Sequence, residues 1–304
     1  MIVAFVFPGQ GAQAVGMGRD LYESFPAAAA VFDQADRVLG FPLARLCFEG
    51  PETELVQTVN AQPAILTVSF ACLQAARSHG SLPAADFMAG HSLGEYTALA
   101  AAGVLDFKDA VYLARERGRL MHLAGQATPG GMAAVIGLDP SVLENVCRES
   151  GAYIANLNCP GQIAISGAEA NLVQAMELAK AAGAARVVRL QVSGAFHTPL
   201  MQPAADGMAA AIAGITFQTP AVPIIANTTA LPVTASEEIK EELREQLCHT
   251  VQWQKSVENM LAAGVTTFIE IGPGKVLAGL IKRTNRDARI INIGDAASVK
   301  SLTL

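Results

Sequence analysis

The sequence predicts an α/β protein in which a mostly parallel sheet, covered by helices, is interrupted by an inserted small domain of ferredoxin-like βαββαβ order. Three observations predict it. The chain begins with an unbroken apolar run, IVAFVF (2–7), that ends in the turn-rich PGQGAQAVGMG, as expected of a strand buried on both faces. A second strand-turn-helix unit follows at FMAGHSLGEY (87–96), leading into alanine-rich sequence. Between residues 132 and 192 the segments alternate as strand, helix, strand, strand, helix, strand, the order of a ferredoxin-like unit.

Taken in order, the first strand is followed by helical patterns over 26–39 and from Pro63 to about Ser78, with Pro63 read as a first-turn residue. FMAG and the helix after Ser92 make the next unit. The break QATPGG opens the insert. There MAAVIGL (132–138), YIANLN (153–158), QIAISG (162–167) and ARVVRLQV (185–192) read as strands, and DPSVLENVCRES and AEANLVQAMELAKAAG as helices. Alternation then resumes with a helix from about Pro199, the strand VPIIAN (222–227), helices near 236–247 and 254–263, the strand TTFIEIG, a helix from Lys275 and the strand RIINIG. The expected division is residues 1–127 and 197–304 for the large domain and 128–196 for the small one. There is no internal repeat or low-complexity segment.

The composition excludes several classes. Of 304 residues, 51% are hydrophobic and 16% charged, which suits a compact core and neither a disordered chain nor a coiled coil. A formal charge of −6 argues against a surface that neutralises many phosphates, so nucleic acid is not an expected partner. No apolar segment is long enough to span a bilayer, and the opening run breaks at Pro8 without a basic flank, as a buried strand does and a signal peptide does not. Cys47, Cys72, Cys147, Cys159 and Cys248 lack a C-x-x-C pair. They read as buried free thiols suited to the cytoplasm, with no metal site.

Gly90-His91-Ser92-Leu93-Gly94 matches G-x-S-x-G between a strand and a helix, the pattern of a nucleophile on a sharp turn. Such a hydroxyl sits at a helix N-terminus, which favours a developing oxyanion, and it needs a base. Of five histidines, His91 adjoins the serine and points away across the turn. His79, His122 and His249 fall in or at the ends of helical patterns. His197, just before Thr198-Pro199, stands at a helix start that disfavours imidazolium. It is the preferred base, with a structural histidine as the competing assignment. No acid after a strand between Ser92 and His197 completes a triad, which weakens an ordinary hydrolase assignment.

FVFPGQGAQAVGMG, GHSLGEY, ARERGRLM, NLNCPGQIAISG, SGAFHTPLM, HTVQW and IEIGPGKVLAGLIKR together resemble the malonyl-CoA:acyl carrier protein transacylases of fatty-acid synthesis, in the family's order from Phe5 to about Arg283. The resemblance implies a hydrolase-like α/β domain with a ferredoxin-like insert. It implies Ser92 as nucleophile, His197 as base and the backbone carbonyl of Gln252 in place of an acid. It places an oxyanion hole at the N–H groups of Gln10 and Leu93, and Arg117 on the malonyl carboxylate, for which a planar bidentate donor is suited. Helical spacing alone leaves Arg115 and Arg117 equal. Gln62, Asn158 and Gln162 match polar positions of the family's site, while Cys159 stands where serine is common. Leu93 and Phe196 resemble the malonyl-selective members, a ring at 196 crowding any α-substituent. The implied partners are malonyl-CoA and an acyl carrier protein, with no resident cofactor. A membrane is not expected, because no apolar segment is long enough to span one, and a monomer is expected from the self-contained two-domain layout without an obvious interface helix.

Lys275, Lys282, Arg283, Arg286 and Arg289 make the C-terminal region locally basic, either as a dock for an acidic carrier or as a solvated face. Three alternatives to the fatty-acid assignment share parts of the pattern: a trans-acting acyltransferase of a polyketide synthase, an acyl hydrolase and a non-catalytic carrier scaffold.

Overall fold

The computed structural model describes residues 1–80 and 82–302. Ten strands run β1 (Ile2–Phe7), β2 (Phe87–Gly90), β3 (Gly130–Ile136), β4 (Tyr153–Cys159), β5 (Gln162–Ala168), β6 (Arg186–Arg189), β7 (Ile224–Ile225), β8 (Pro232–Val233), β9 (Val265–Ile271) and β10 (Arg289–Ile293). The helices are α1 (Arg19–Ser24), α2 (Pro26–Leu39), α3 (Leu43–Glu49), α4 (Glu52–Leu55), α5 (Thr58–His79), α6 (Gly94–Ala101) and α7 (Phe107–Ala127). They continue as α8 (Pro140–Ser150), α9 (Glu169–Ala181), α10 (Gln202–Ala213), α11 (Ser236–Glu245), α12 (Trp253–Ala262), α13 (Val276–Thr284) and α14 (Ala296–Lys300).

Six strands form the central sheet in the order β10-β9-β1-β2-β7-β8, parallel except for the β7–β8 pair. Alternation along β1 sorts its side chains to two faces. Val3, Phe5 and Phe7 pack into a core built with α2, α5, α6, α7 and α10. Ala4 and Val6 pack into a second core with α12 and α13. Burial on both faces is why these strands read as continuous apolar runs.

The second sheet is antiparallel, in the order β4-β5-β3-β6. Ala133, Val135, Ile163 and Ile165 turn toward α8 and α9. The opposite face, with Met132, Ala134 and Ala164, looks into the cavity beside Ser92. Its edge strand is tied back to the large domain, because Leu157 donates to the Val251 carbonyl and Val251 donates to the Ala155 carbonyl, each at 2.9 Å.

Several elements depart from expectation, among them β6, which covers only Arg186–Arg189 of the strand expected over 185–192. Helix α5 begins at Thr58 and contains Pro63 rather than starting there. Proline lacks an N–H and cannot bond the carbonyl four residues back, and that carbonyl, on Val59, instead accepts from Arg115 Nη1 at 2.8 Å. The strand expected over 222–227 is ordered as a ladder only at Ile224–Ile225, and β8 pairs with it as a short edge. The segment after Thr198 opens with a 3₁₀ turn over Pro199–Met201 before α10. All five cysteines are free and buried. Among the described residues no helix is long and apolar enough to cross a membrane.

Candidate active site

The parallel sheet ends at a turn that only small residues allow. A Cβ on Gly90 would lie 1.9 Å from the carbonyl carbon of Gly94, and one on Gly94 would lie 2.1 Å from the Phe7 carbonyl oxygen. The chain therefore folds back on itself between β2 and α6, forcing Ser92 to a φ of 51°, a strained conformation for a residue with a side chain. Asn227, just past β7, clamps the turn: its Oδ1 accepts from the Ser92 N–H at 2.7 Å and its Nδ2 donates to the Gly90 carbonyl at 2.8 Å.

His197 comes to the serine from the far side, with its Nε2 2.8 Å from Ser92 Oγ. Its Nδ1 lies 2.8 Å from the backbone carbonyl of Gln246. A carbonyl only accepts, so Nδ1 carries the proton and Nε2 is left free to accept from the serine hydroxyl. Burial, and next the charge of Arg117, lower the imidazole pKa to about 3. The ring is neutral throughout the physiological range.

Arg117 projects from α7 into the same point and is 1% exposed. Its Nη2 donates to Ser92 Oγ at 3.0 Å and to Gln246 Oε1 at 2.7 Å, and its Nη1 donates to Gln62 Oε1 at 2.8 Å. No carboxylate pairs with it among the described residues. A buried guanidinium whose hydrogen-bond acceptors are neutral is suited to receive an anion. Arg115, two residues earlier, is spent on the Val59 carbonyl and on the face of Phe41.

The sequence profile of the acyl transferase domain matches residues 4–303. The malonyl CoA-acyl carrier protein transacylase of Bacillus subtilis strain 168 is 49% identical over 303 residues, covering 98% of this chain and 95% of the relative. The chain belongs to the malonyl-CoA:acyl carrier protein transacylases. Within this family it also superposes on the acyl-carrier-protein S-malonyltransferase of Bartonella henselae with a TM-score of 0.95, at 43% identity and covering 99% and 98% of the two chains. A malonyl-transacylase in complex with its type II polyketide acyl-carrier protein gives 0.95, at 40% identity and 99% coverage of each chain.

In this transacylase fold the carbonyl facing the histidine belongs to Gln246, correcting the expectation that Gln252 supplies it. Gln252 is the N-cap of α12, so its carbonyl is consumed by the helix, accepting from the Ser256 N–H at 2.9 Å and from Ser256 Oγ at 3.1 Å. Gln246 also uses its side chain: Nε2 donates to the Ser92 carbonyl at 3.0 Å and to Glu95 Oε2. Glu95 is 1% exposed. Burial, and then the nearby Glu242 charge, push its carboxyl well above the usual range.

The remaining expected residues divide into those that face the cavity and those that stand behind it. Gln10, Asn158, Gln162 and Phe196 line it. Asn158 Oδ1 accepts from His91 Nε2 at 2.9 Å, and His91 stands edge-on to Trp253, turned away from the dyad. Gln162 Oε1 accepts from Arg283. Gln62 is fully buried and reaches the cavity only through Arg117. Buried Cys159 faces Arg283, and burial raises its thiol pKa. The backbone N–H groups of Gln10 and Leu93 donate to no other group among the described residues. Along the rim, Val276, Leu277 and Leu280 of α13 line the cavity, next to exposed Lys275, Lys282, Arg283 and Arg286. Lys282 is drawn to the Arg286 carbonyl at 3.0 Å. Among the described residues no three His, Cys, Asp or Glu side chains group to hold a metal ion.

Gln246, Asn227, Glu95 and Thr58 were not anticipated from sequence. Glu95 carried a signal, being the lone charge in the otherwise apolar GEYTALAA. Asn227 ends an apolar strand and Gln246 ends an amphipathic helix, neither of which marks a site.

Proposed function

We propose that the protein transfers a malonyl group from malonyl-CoA to the pantetheine thiol of an acyl carrier protein through an ester on Ser92, supplying fatty-acid elongation. The observation that carries this is the single oxygen, Ser92 Oγ, bonded at once to a neutral His197 and to a buried Arg117 that no carboxylate touches among the described residues. A base and a carboxylate receptor meet at one nucleophile.

In the first step Ser92 Oγ attacks the thioester carbonyl and its proton passes to His197 Nε2. The N–H groups of Gln10 and Leu93 receive the oxyanion. Collapse expels the coenzyme A thiolate, which takes the proton from His197, leaving malonyl-Ser92. In the second step the carrier's thiol gives its proton to His197 and attacks the ester, and Ser92 leaves with that proton. Arg117 holds the malonyl carboxylate in both steps, while the Gln246 carbonyl stabilises the transient imidazolium. Phe196 closes the wall against an α-branch.

The basic rim at Lys275, Arg283 and Arg286 receives the acidic carrier. We place the protein in the cytoplasm as a monomer needing no resident cofactor. Intact-protein mass after mixing with malonyl-CoA, and again after adding carrier, tests the reading. A malonyl adduct on the wild type, absent from Ser92→Ala and moved intact to the carrier, is the expected result. Release as free malonate would make the protein a hydrolase. Offering fatty-acid and polyketide carriers in parallel separates the two pathways.

A further inference from the structure

Behind Arg117 lies a hydrogen-bond chain whose polarity is fixed from one end. A guanidinium can only donate, so Gln62 must turn its Oε1 to Arg117 Nη1, at 2.8 Å. That leaves Gln62 Nε2 facing Thr58 Oγ1, at 2.9 Å, with the sulfur of Met121 at 3.3 Å as its only other partner among the described residues. Having accepted from Gln62, the Thr58 hydroxyl sends its one proton to Gln10 Oε1, at 2.9 Å. Thr58 is 1% exposed and Gln62 fully buried, so water does not compete for these links.

The chain exists because α7 approaches the first turn of α5 closely. A Cβ on Gly118 would lie 2.6 Å from the Thr58 carbonyl oxygen and 2.8 Å from the Val59 Cα. Glycine there brings Arg117, its neighbour in sequence, against Gln62. At the other end Gln10 lies in the loop after β1 and lines the cavity, and its backbone N–H donates to no other group among the described residues.

We propose that Thr58 is a positioning residue that couples the carboxylate receptor to the oxyanion loop: its hydroxyl holds the Gln62 amide, whose polarity Arg117 sets, against the guanidinium and ties Gln10 to the same frame. This rests on the transfer reading above. Without the hydroxyl, Gln62 Nε2 keeps only the Met121 sulfur of the partners described above, the amide is held less firmly against Arg117, and the Gln10 loop is released.

The test compares Ser92 acylation by malonyl-CoA and by propionyl-CoA, which replaces the distal carboxylate with a methyl group. Thr58→Val is expected to lower the malonyl-to-propionyl rate ratio about tenfold, the loss of one hydrogen bond at a charged group. Thr58→Ser, which keeps the hydroxyl, restores the ratio to within about twofold. General loosening of the fold would slow both substrates alike, so an unchanged ratio in Thr58→Val overturns the proposal. Gln10→Met, at a half-buried position, covers the case in which Thr58→Val does not fold. With its melting temperature unchanged, which excludes general loosening, it should slow both substrates together by about threefold, and unaltered rates there would count against the coupling. A wild type that takes no malonyl overturns the transfer reading itself, whereas normal acylation with an intact ratio in Thr58→Val removes only Thr58 from it.

Discussion

Two strand-to-helix turns of the same parallel sheet, β2 into α6 and β9 into α13, put their helix N-termini to opposite uses. Each helix start concentrates unpaired N–H groups and a partial positive charge. At β9–α13 the protein fills that site itself. Glu270, fully buried on β9, accepts from the N–H of Leu277 at 3.0 Å and of Ala278 at 2.8 Å, with Asn292 Nδ2 on the second oxygen at 2.8 Å. At β2–α6 a neutral amide, Asn227, accepts from the Ser92 N–H, and the Leu93 N–H has no acceptor among the described residues. A helix end already neutralised serves stability, and one left open can serve charge that appears during a reaction. Burial of a carboxylate does not separate the two cases, because Glu95 and Glu270 are equally enclosed. Their partners do.

The strongest way to break the contrast is to fill the open turn. Asn227→Asp would set a negative charge 2.7 Å from the Ser92 N–H and turn an acceptor toward the Gly90 carbonyl. Ser92 acylation should fall about a hundredfold, the scale of losing one oxyanion donor, with the rate constant read by rapid-quench mass measurement.

A smaller effect sharpens the contrast through pH. The folded-state pKa of His197, about 3, lies below the ordinary imidazole value of 6.5. The stability this group contributes is complete above pH 6.5 and drains as pH falls from 6.5 toward 3. Acylation at pH 5.5 should therefore stay within about twofold of its rate at pH 7.5, where an unperturbed imidazole would lose about tenfold. An acid limb centred near 6.5 would refute a buried neutral base. The least disruptive test is at the filled turn. Glu270→Gln should lower the melting temperature by about 2–4 °C through a weakened helix cap, while malonyl transfer changes less than about twofold.

How much of this was legible in the sequence follows from what each residue is doing. The strands β1 and β2 and the insert showed themselves through apolar runs and turn residues, because their burial fixes residue type. Ser92 and His197 stood out by the turn motif and by the proline after Thr198, and they lie 2.8 Å apart. The carbonyl that orients the histidine could not be read, since any residue supplies one and only the path of the backbone selects Gln246 over Gln252. Arg115 and Arg117 tie on a helical wheel. The tie is broken by Pro63, whose missing N–H leaves the Val59 carbonyl to claim Arg115, a consequence visible only once α5 is known to begin before the proline. Asn227 escaped because its work is done by leaving the strand, not by belonging to it.

The buried cysteines bear on a different hazard. An acyl group on its way to a thiol can be intercepted by any other reactive thiol within reach. In this protein burial pushes Cys47 and Cys147 up to about 12 and Cys248 to about 11, and raises Cys72 and Cys159 as well. Thiols kept protonated and enclosed are poor nucleophiles toward esters and thioesters alike. The molecule is chemically silent toward its own cargo, so the sulfur that accepts the acyl group is one that arrives from outside.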